Sequence, residues 1–168
     1  MRSQAAALLK SGKTDQPIVL HLNCLGGDVL SGRKLLQTMD DIKKQGLTIE
    51  VYADCAMSFA ILFLANGSRG HRFVSPLGEY MIHESRIPEI SGSSLPRYEL
   101  EFRALADYLR GNNSLVRDTI IANSNGKLDA STLKEKTHNG SDWYLTPQEV
   151  VQYGLADDIR TPAIEPKA

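Results

Sequence analysis

Between residues 16 and 84 short apolar runs alternate with segments of helical spacing, and that alternation constrains the fold more than any other feature. QPIVLHLN, residues 16–23, is a β-branched apolar run after a proline and reads as a strand. VLSGRKLLQTMDDIKKQG follows, with Val29, Leu35, Leu36, Met39 and Ile42 on one stripe and Gly46 at its end, and reads as an amphipathic helix. LTIEVYAD, residues 47–54, is a second strand, and MSFAILFLANG is a buried helix closed by Asn66-Gly67. HRFVSP and EYMIHE are two further short strands. The β-α-β-α-β order predicts an α/β fold with a parallel sheet and right-handed crossovers.

The flanks read differently. Residues 3–11 form a short helix, and SRIPEISGSSLP is loop-like. RYELEFRALADYLRGNNSLVRDTIIANSNG is a long helical segment with a break expected at Gly111; its apolar face carries Leu100, Ala104, Leu109, Leu115 and Ile120. DASTLKEKTHNG is a short helix with Asp129 as N-cap, and Thr146-Pro147-Gln148-Glu149 is a capping box with proline at the first helical position, closed by Gly154.

A chain of 168 residues fits one domain around one core. A hydrophobic share of 42% with 23% charged residues is that of a soluble globular protein, and a net charge of -1 argues against a nucleic-acid partner. No apolar run reaches the roughly 18 residues that cross a bilayer, and the N-terminus lacks a full signal-peptide core, so a cytoplasmic protein without membrane association is expected. Cys24 and Cys55 make neither a CxxC pair nor a ligand cluster, so no metal and no cofactor are expected.

Four places carry chemistry. Ser58 stands at the head of a buried helix, where free N–H groups and the positive end of the helix dipole lie near its hydroxyl; a lone serine there is more often a cap. In LGGDV, residues 25–29, two glycines let the backbone approach a ligand and aim N–H groups at a developing negative charge, though alone they make an ordinary strand-to-helix turn. His83 ends the apolar strand YMIH, at the carboxyl end where parallel α/β sheets place their sites, though taken alone it also reads as a half-buried surface histidine. His21, His71 and His138 lack that setting. Asp142 precedes an aromatic pair and is of the type that orients an imidazole, though such an aspartate is more often a solvated loop residue.

The joint order of these pieces resembles the Clp protease proteolytic subunit within the wider Clp/crotonase superfamily. The resemblance runs from residue 5 to about residue 158. It rests on LHLNCLGGDVLSG, ADCAMSFAILFLANG, HRFVSP, EYMIH and SDWYLTPQEVVQYGLAD. It implies Clp/crotonase-type repeated β-α-β units with a long handle helix, in a single domain with its head at 1–83 and 140–160 and its handle at 84–139. It also implies a serine endopeptidase of unfolded polypeptides or peptides, with Ser58 as nucleophile, His83 as general base and Asp142 as the orienting acid. The backbone N–H groups of Gly27 and Phe59 would form the oxyanion hole. Gly26, Ile87 and Pro88 would bind a polypeptide substrate added as a strand along residues 84–95. The implied assembly is a homo-oligomer, a heptameric ring or stacked rings, with a Clp-type ATPase as partner. The family's N-terminal strand and axial loop, which meet that ATPase, have no counterpart here, so the ATPase is the least supported of these expectations.

The chain also departs from the family's pattern. The usual N-S-P-G-G is NCLGG, with Cys24 and Leu25 in place of serine and proline. The usual G-x-A-A-S-M is DCAMSF, so Asp54 replaces a glycine, and Met57 and Phe59 flank the serine with larger side chains. Those side chains either narrow the site or repack around it, and an acid at 54 is expected to perturb the histidine. Two alternatives follow: a catalytically inactive ring subunit or peptide-binding pseudoprotease, and a signal-peptide-peptidase-like or phage-maturation-type protease of the same superfamily. A crotonase-like acyl-CoA enzyme fits the fold but gives the Ser/His/Asp set no purpose.

Overall fold

A computed structural model describes residues 1–86 and 99–161. Three strands, β1 (Ile18–Cys24), β2 (Ile49–Met57) and β3 (Arg72–Ile82), pair in parallel in that order. β4 (Trp143–Leu145) lies antiparallel to the end of β3, and β5 (Asp158–Ile159) pairs in parallel with its beginning. The helices are α1 (Arg2–Ser11), α2 (Val29–Lys44), α3 (Ile61–Ala65), α4 (Glu99–Asn123), α5 (Ala130–Lys136) and α6 (Pro147–Gln152). The α/β reading and the long helix are therefore both observed.

Local chemistry explains the joints. Asp28 caps α2 by accepting from the Ser31 N–H at 2.8 Å. Asp129 caps α5 through the Thr132 N–H, and Thr146 and Glu149 close a reciprocal capping box with Pro147 at the first position of α6. Leu36, Met39 and Ile42 of the predicted α2 stripe are buried against the sheet. α3 is apolar on every side and all five of its residues are buried, as a central helix must be.

Three expectations need correction. HRFVSP and EYMIHE are one strand, not two. The β2–β3 register passes from Ala53↔Val74 to Cys55↔Glu79, so residues 75–78 bulge out of the ladder and leave Leu77 93% exposed. Pro76 cannot donate to a ladder, which confines it to such a bulge. The Tyr80 hydroxyl donates to the Ala53 carbonyl at 2.7 Å and binds the two strands together beside it. The buried helix predicted from Met57 is shorter: β2 runs on to Met57, a 3₁₀ turn covers Ser58–Ala60, and α3 begins only at Ile61. α4 also passes through Gly111 without a break.

The handle helix divides at mid-length. Its C-terminal half packs on the rest of the chain through buried Ile120 and through Asn112, whose side-chain oxygen accepts from Arg33 at 2.9 Å. Of its predicted apolar face, Ile120 is buried and Leu115 packs against the core, whereas Leu100 is exposed. Phe102 and Tyr108 are exposed as well. The acids and bases around them pair along the helix, Arg103 with Glu99 at 2.5 Å and Arg110 with Asp107.

Arg72 ties the start of β3 to the end of α4. It is fully buried and donates to both Asp157 carboxylate oxygens, at 3.0 and 2.6 Å, and to the carbonyls of Ala65 and Asn123. Burial alone would raise the Asp157 pKa, but the hydrogen bonds and charge of Arg72 outweigh it and hold the carboxyl below its ordinary value.

Candidate active site

The register brings the carboxyl ends of the three parallel strands to one edge of the sheet. Cys24 pairs with Ala56, and Met57 with Met81. Gly26, Ser58 and His83 follow those three ends, at the edge where open parallel sheets form their ligand crevices.

Ser58 sits at a corner, with β2 entering and the 3₁₀ turn leaving. Its φ is +54°, and of the described residues other than glycine only Asn125 also has positive φ. A left-handed conformation costs a residue with a Cβ about 1–2 kcal/mol, so the surrounding structure must hold it there. The Gly-Gly loop fits against this corner. At Gly26, with φ of +104°, an added Cβ would lie 2.6 Å from the Ser58 Cβ and 2.9 Å from the Met57 carbonyl oxygen. Two glycines that alone signal only a turn thus have a specific cause: one must lack a side chain because the serine occupies its place.

His83 Nε2 lies 2.7 Å from Ser58 Oγ, a full hydrogen bond. Gly27, Val29, Ser58, Phe59, His83 and Arg86 line one cavity of about 130 Å3. A second cavity of about 200 Å3 adjoins it, sharing His83 and Val116 and continuing along Asn113, Leu133 and Thr137. Ser58, His83, Gly27 and Phe59 are thereby brought together, with Gly26 directly behind the serine. Ile87 and Pro88 lie outside the described residues. His21 stacks on Tyr52 and His71 pairs with Glu50 at 3.0 Å, so neither belongs to this cavity.

The Phe59 ring does not crowd the serine. It is buried against Gly32, where an added Cβ would lie 2.4 Å from two ring atoms, and edge-on to Phe63. Its bulk repacks the core under α2. Asp54 is exposed, and it is not among the causes that shift His83. Burial lowers the His83 pKa, the positive charge of Arg86 lowers it further, and Asp142 opposes both. Cys24 and Cys55 are free thiols; Cys55 is buried. Trp143 is buried edge-on to Tyr153, whereas Tyr144 is exposed.

Asp142 stands beside the histidine without closing on it. Its Oδ1 is 3.5 Å from His83 Nδ1, and Nδ1 is buried with no hydrogen-bond partner. The same Oδ1 accepts from Arg86 Nη2 at 2.5 Å, and that nitrogen also donates to the Gly140 carbonyl. Sequence reasoning missed Arg86, because nothing in the spacing of a loop arginine three residues past His83 marks it as a partner of an aspartate 56 residues away. The described residues hold no group of three or more His, Cys, Asp or Glu side chains able to bind a metal.

A parallel sheet with a strained serine at one strand end and a histidine at the next defines an α/β protein of the crevice-at-the-strand-ends class. Within that class the chain belongs to the Clp protease family, whose sequence profile matches residues 3–163. It is 29% identical over 143 residues to an ATP-dependent Clp protease proteolytic subunit from Streptococcus sanguinis, covering 84% of this chain and 67% of that protein. A protein of the same description from Deinococcus radiodurans is 30% identical over 152 residues, covering 90% of this chain and 69% of its own length. The chain thus spans about two thirds of the length of these relatives. Among the described residues no helix is long and apolar enough to cross a membrane.

Proposed function

We propose that this chain is a serine endopeptidase that hydrolyses peptide bonds of unfolded polypeptides through Ser58, His83 and Asp142. The observation that carries the reading is the 2.7 Å contact from His83 Nε2 to the hydroxyl of a serine held at positive φ. With its proton on Nδ1, neutral His83 accepts the Ser58 hydroxyl proton as Oγ attacks the peptide carbonyl carbon. The carbonyl oxygen becomes an oxyanion beside the N–H groups of Gly27 and Phe59, both on the cavity wall. His83, now protonated, returns the proton to the leaving amine as the C–N bond breaks. Water then attacks the acyl-serine by the same proton path in reverse, releasing the acid and restoring the hydroxyl. The lowered His83 pKa suits this role, because it keeps the imidazole neutral at neutral pH.

The relatives' description, an ATP-dependent proteolytic subunit, supports a proteolytic subunit fed by a Clp-type ATPase; the family resemblance is the ground for a homo-oligomeric ring, heptameric or stacked, in the cytoplasm. The exposed Leu100, Phe102 and Tyr108 on α4 are apolar surface of the kind that ring contacts bury. Substrate enters by strand addition beside Gly26 and along residues 84–95, including Ile87 and Pro88.

The inactive-subunit reading draws on one observation, the unpartnered Nδ1 of His83. Hydrolysis of a short fluorogenic peptide, which needs no ATPase to deliver it, by the purified oligomer decides between the two. Turnover that Ser58→Ala reduces to background supports the peptidase; no turnover by folded, oligomeric wild type supports the inactive subunit.

A further inference from the structure

Asp142 has two competitors for one oxygen. Arg86 Nη2 is at 2.5 Å from Oδ1 and His83 Nδ1 is at 3.5 Å from the same atom. The first is a strong charge-assisted contact and the second lies beyond hydrogen-bond range. The cost falls on His83, whose Nδ1 is buried and unsatisfied. An imidazole that accepts a proton at Nε2 must keep one at Nδ1, and a carboxylate on Nδ1 is what fixes that tautomer and stabilises the cation. Arg86 therefore withholds the orienting acid.

Arg86 is also placed to be drawn away. Its side chain is 48% exposed and it lines the same cavity as Ser58, Gly27 and His83. A guanidinium binds any planar carboxylate in the geometry it uses for aspartate. A peptide acid beside the scissile bond would meet it inside that cavity.

We propose that Arg86 is a positioning residue that holds Asp142 off His83 and yields it to a carboxylate on the substrate, so that acidic peptides complete the triad they are cleaved by. The inference rests on the peptidase reading above. The other charged groups near His83 are Glu84, Arg117 and Lys134, which line the adjoining cavity; none of them bonds Asp142.

The test compares wild type, Arg86→Gln, Asp142→Asn and the double variant. It measures the rate of Ser58 acylation by an uncharged fluorophosphonate from about pH 5 to 9, the range in which a histidine titrates. Arg86→Gln is expected to acylate about tenfold faster than wild type, because restoring an orienting carboxylate recovers part of the roughly ten-thousand-fold that such a group supplies in serine proteases. Its pH limb should move upward, since a lowering charge is gone and Asp142 is closer. The faster acylation should vanish in Arg86→Gln/Asp142→Asn, and the upward move of the pH limb should shrink to the part that loss of the Arg86 charge alone causes. In peptide cleavage, wild type should prefer a substrate with glutamate beside the scissile bond over its glutamine counterpart by about tenfold in kcat/KM, one bidentate contact's worth, and Arg86→Gln should lose the preference. Arg86→Lys, which keeps the charge without the planar fork, should fall between and serves if Arg86→Gln does not fold. Equal or slower acylation with an unmoved pH limb in a folded Arg86 variant would overturn the proposal. A faster variant with no acidic preference in wild type would overturn release by substrate. If wild type and every variant fail to acylate, the peptidase reading itself fails and takes this proposal with it. An acylating wild type with unresponsive Arg86 variants removes the latch alone.

Discussion

Gly26→Ala is the substitution whose effect follows most directly from the packing around Ser58. The new Cβ would sit 2.6 Å from the Ser58 Cβ, about 0.8 Å short of the 3.4 Å at which ordinary contact begins, and 2.9 Å from the Met57 carbonyl oxygen. Neither neighbour is the loose end of a flexible side chain, so the loop or the serine corner must move. A φ of +104° adds backbone strain of about 1–3 kcal/mol for a residue with a side chain, and the clash adds about 1–3 kcal/mol as overpacking. Together they predict a loss of about 2–6 kcal/mol, or roughly 4–24 °C in Tm for a domain of this size. A displacement of this order at a nucleophile costs on the order of 100-fold in rate. Thermal unfolding and the rate of Ser58 acylation by a fluorophosphonate read the two effects. Gly27→Ala is the companion: its φ of +144° brings strain, but its Cβ would meet nothing within 4 Å, so it should lose less stability. A Gly26→Ala variant with wild-type Tm and wild-type acylation would refute the account of why the serine corner needs this glycine.

Three further outcomes are expected. Asp157→Asn leaves the buried Arg72 guanidinium without its carboxylate and should cost about 3–5 kcal/mol, measured by denaturant unfolding at neutral pH. The Asp157 carboxyl is held below its ordinary value, so the stability it contributes is present above the unfolded carboxylate pKa and is lost as pH falls through the lower folded value; the acid limb of the unfolding curve should flatten in Asp157→Asn. Acylation of Ser58 should decline only below the ordinary histidine pKa, because burial and Arg86 hold His83 under it and a protonated imidazole cannot accept the serine proton. Replacing Leu100, Phe102 and Tyr108 on α4 with glutamate should weaken the proposed association between copies by sedimentation while leaving the circular dichroism spectrum unchanged, since all three are exposed in the single chain.

What the sequence made legible was local. The α2 stripe, the caps at Asp129 and Thr146, and the alternation that requires a parallel sheet are written in neighbouring residues, and the structure keeps all of them. The bulge at 75–78 was not legible, because its cause is the register of β3 against a strand about 20 residues earlier. Neither was the N-terminal half of α4: Leu100 has the spacing of a core residue, but within this chain the helix outruns the layer that would bury it. At the site, Ser58, His83 and Asp142 were marked by order along the chain and by resemblance. The left-handed serine and the need for Gly26 emerge only when two strand ends meet in space. Arg86 was silent for the same reason, since it matters through an ion pair across 56 residues.

The central claim is that Ser58 is an activated nucleophile. Intact-protein mass after treatment with a fluorophosphonate tests it, with Ser58→Ala alongside. The account predicts one adduct per wild-type chain, mapped to Ser58 by peptide fragmentation, and none on Ser58→Ala. A folded, oligomeric wild type that takes no adduct, or one whose adduct maps elsewhere, would contradict it.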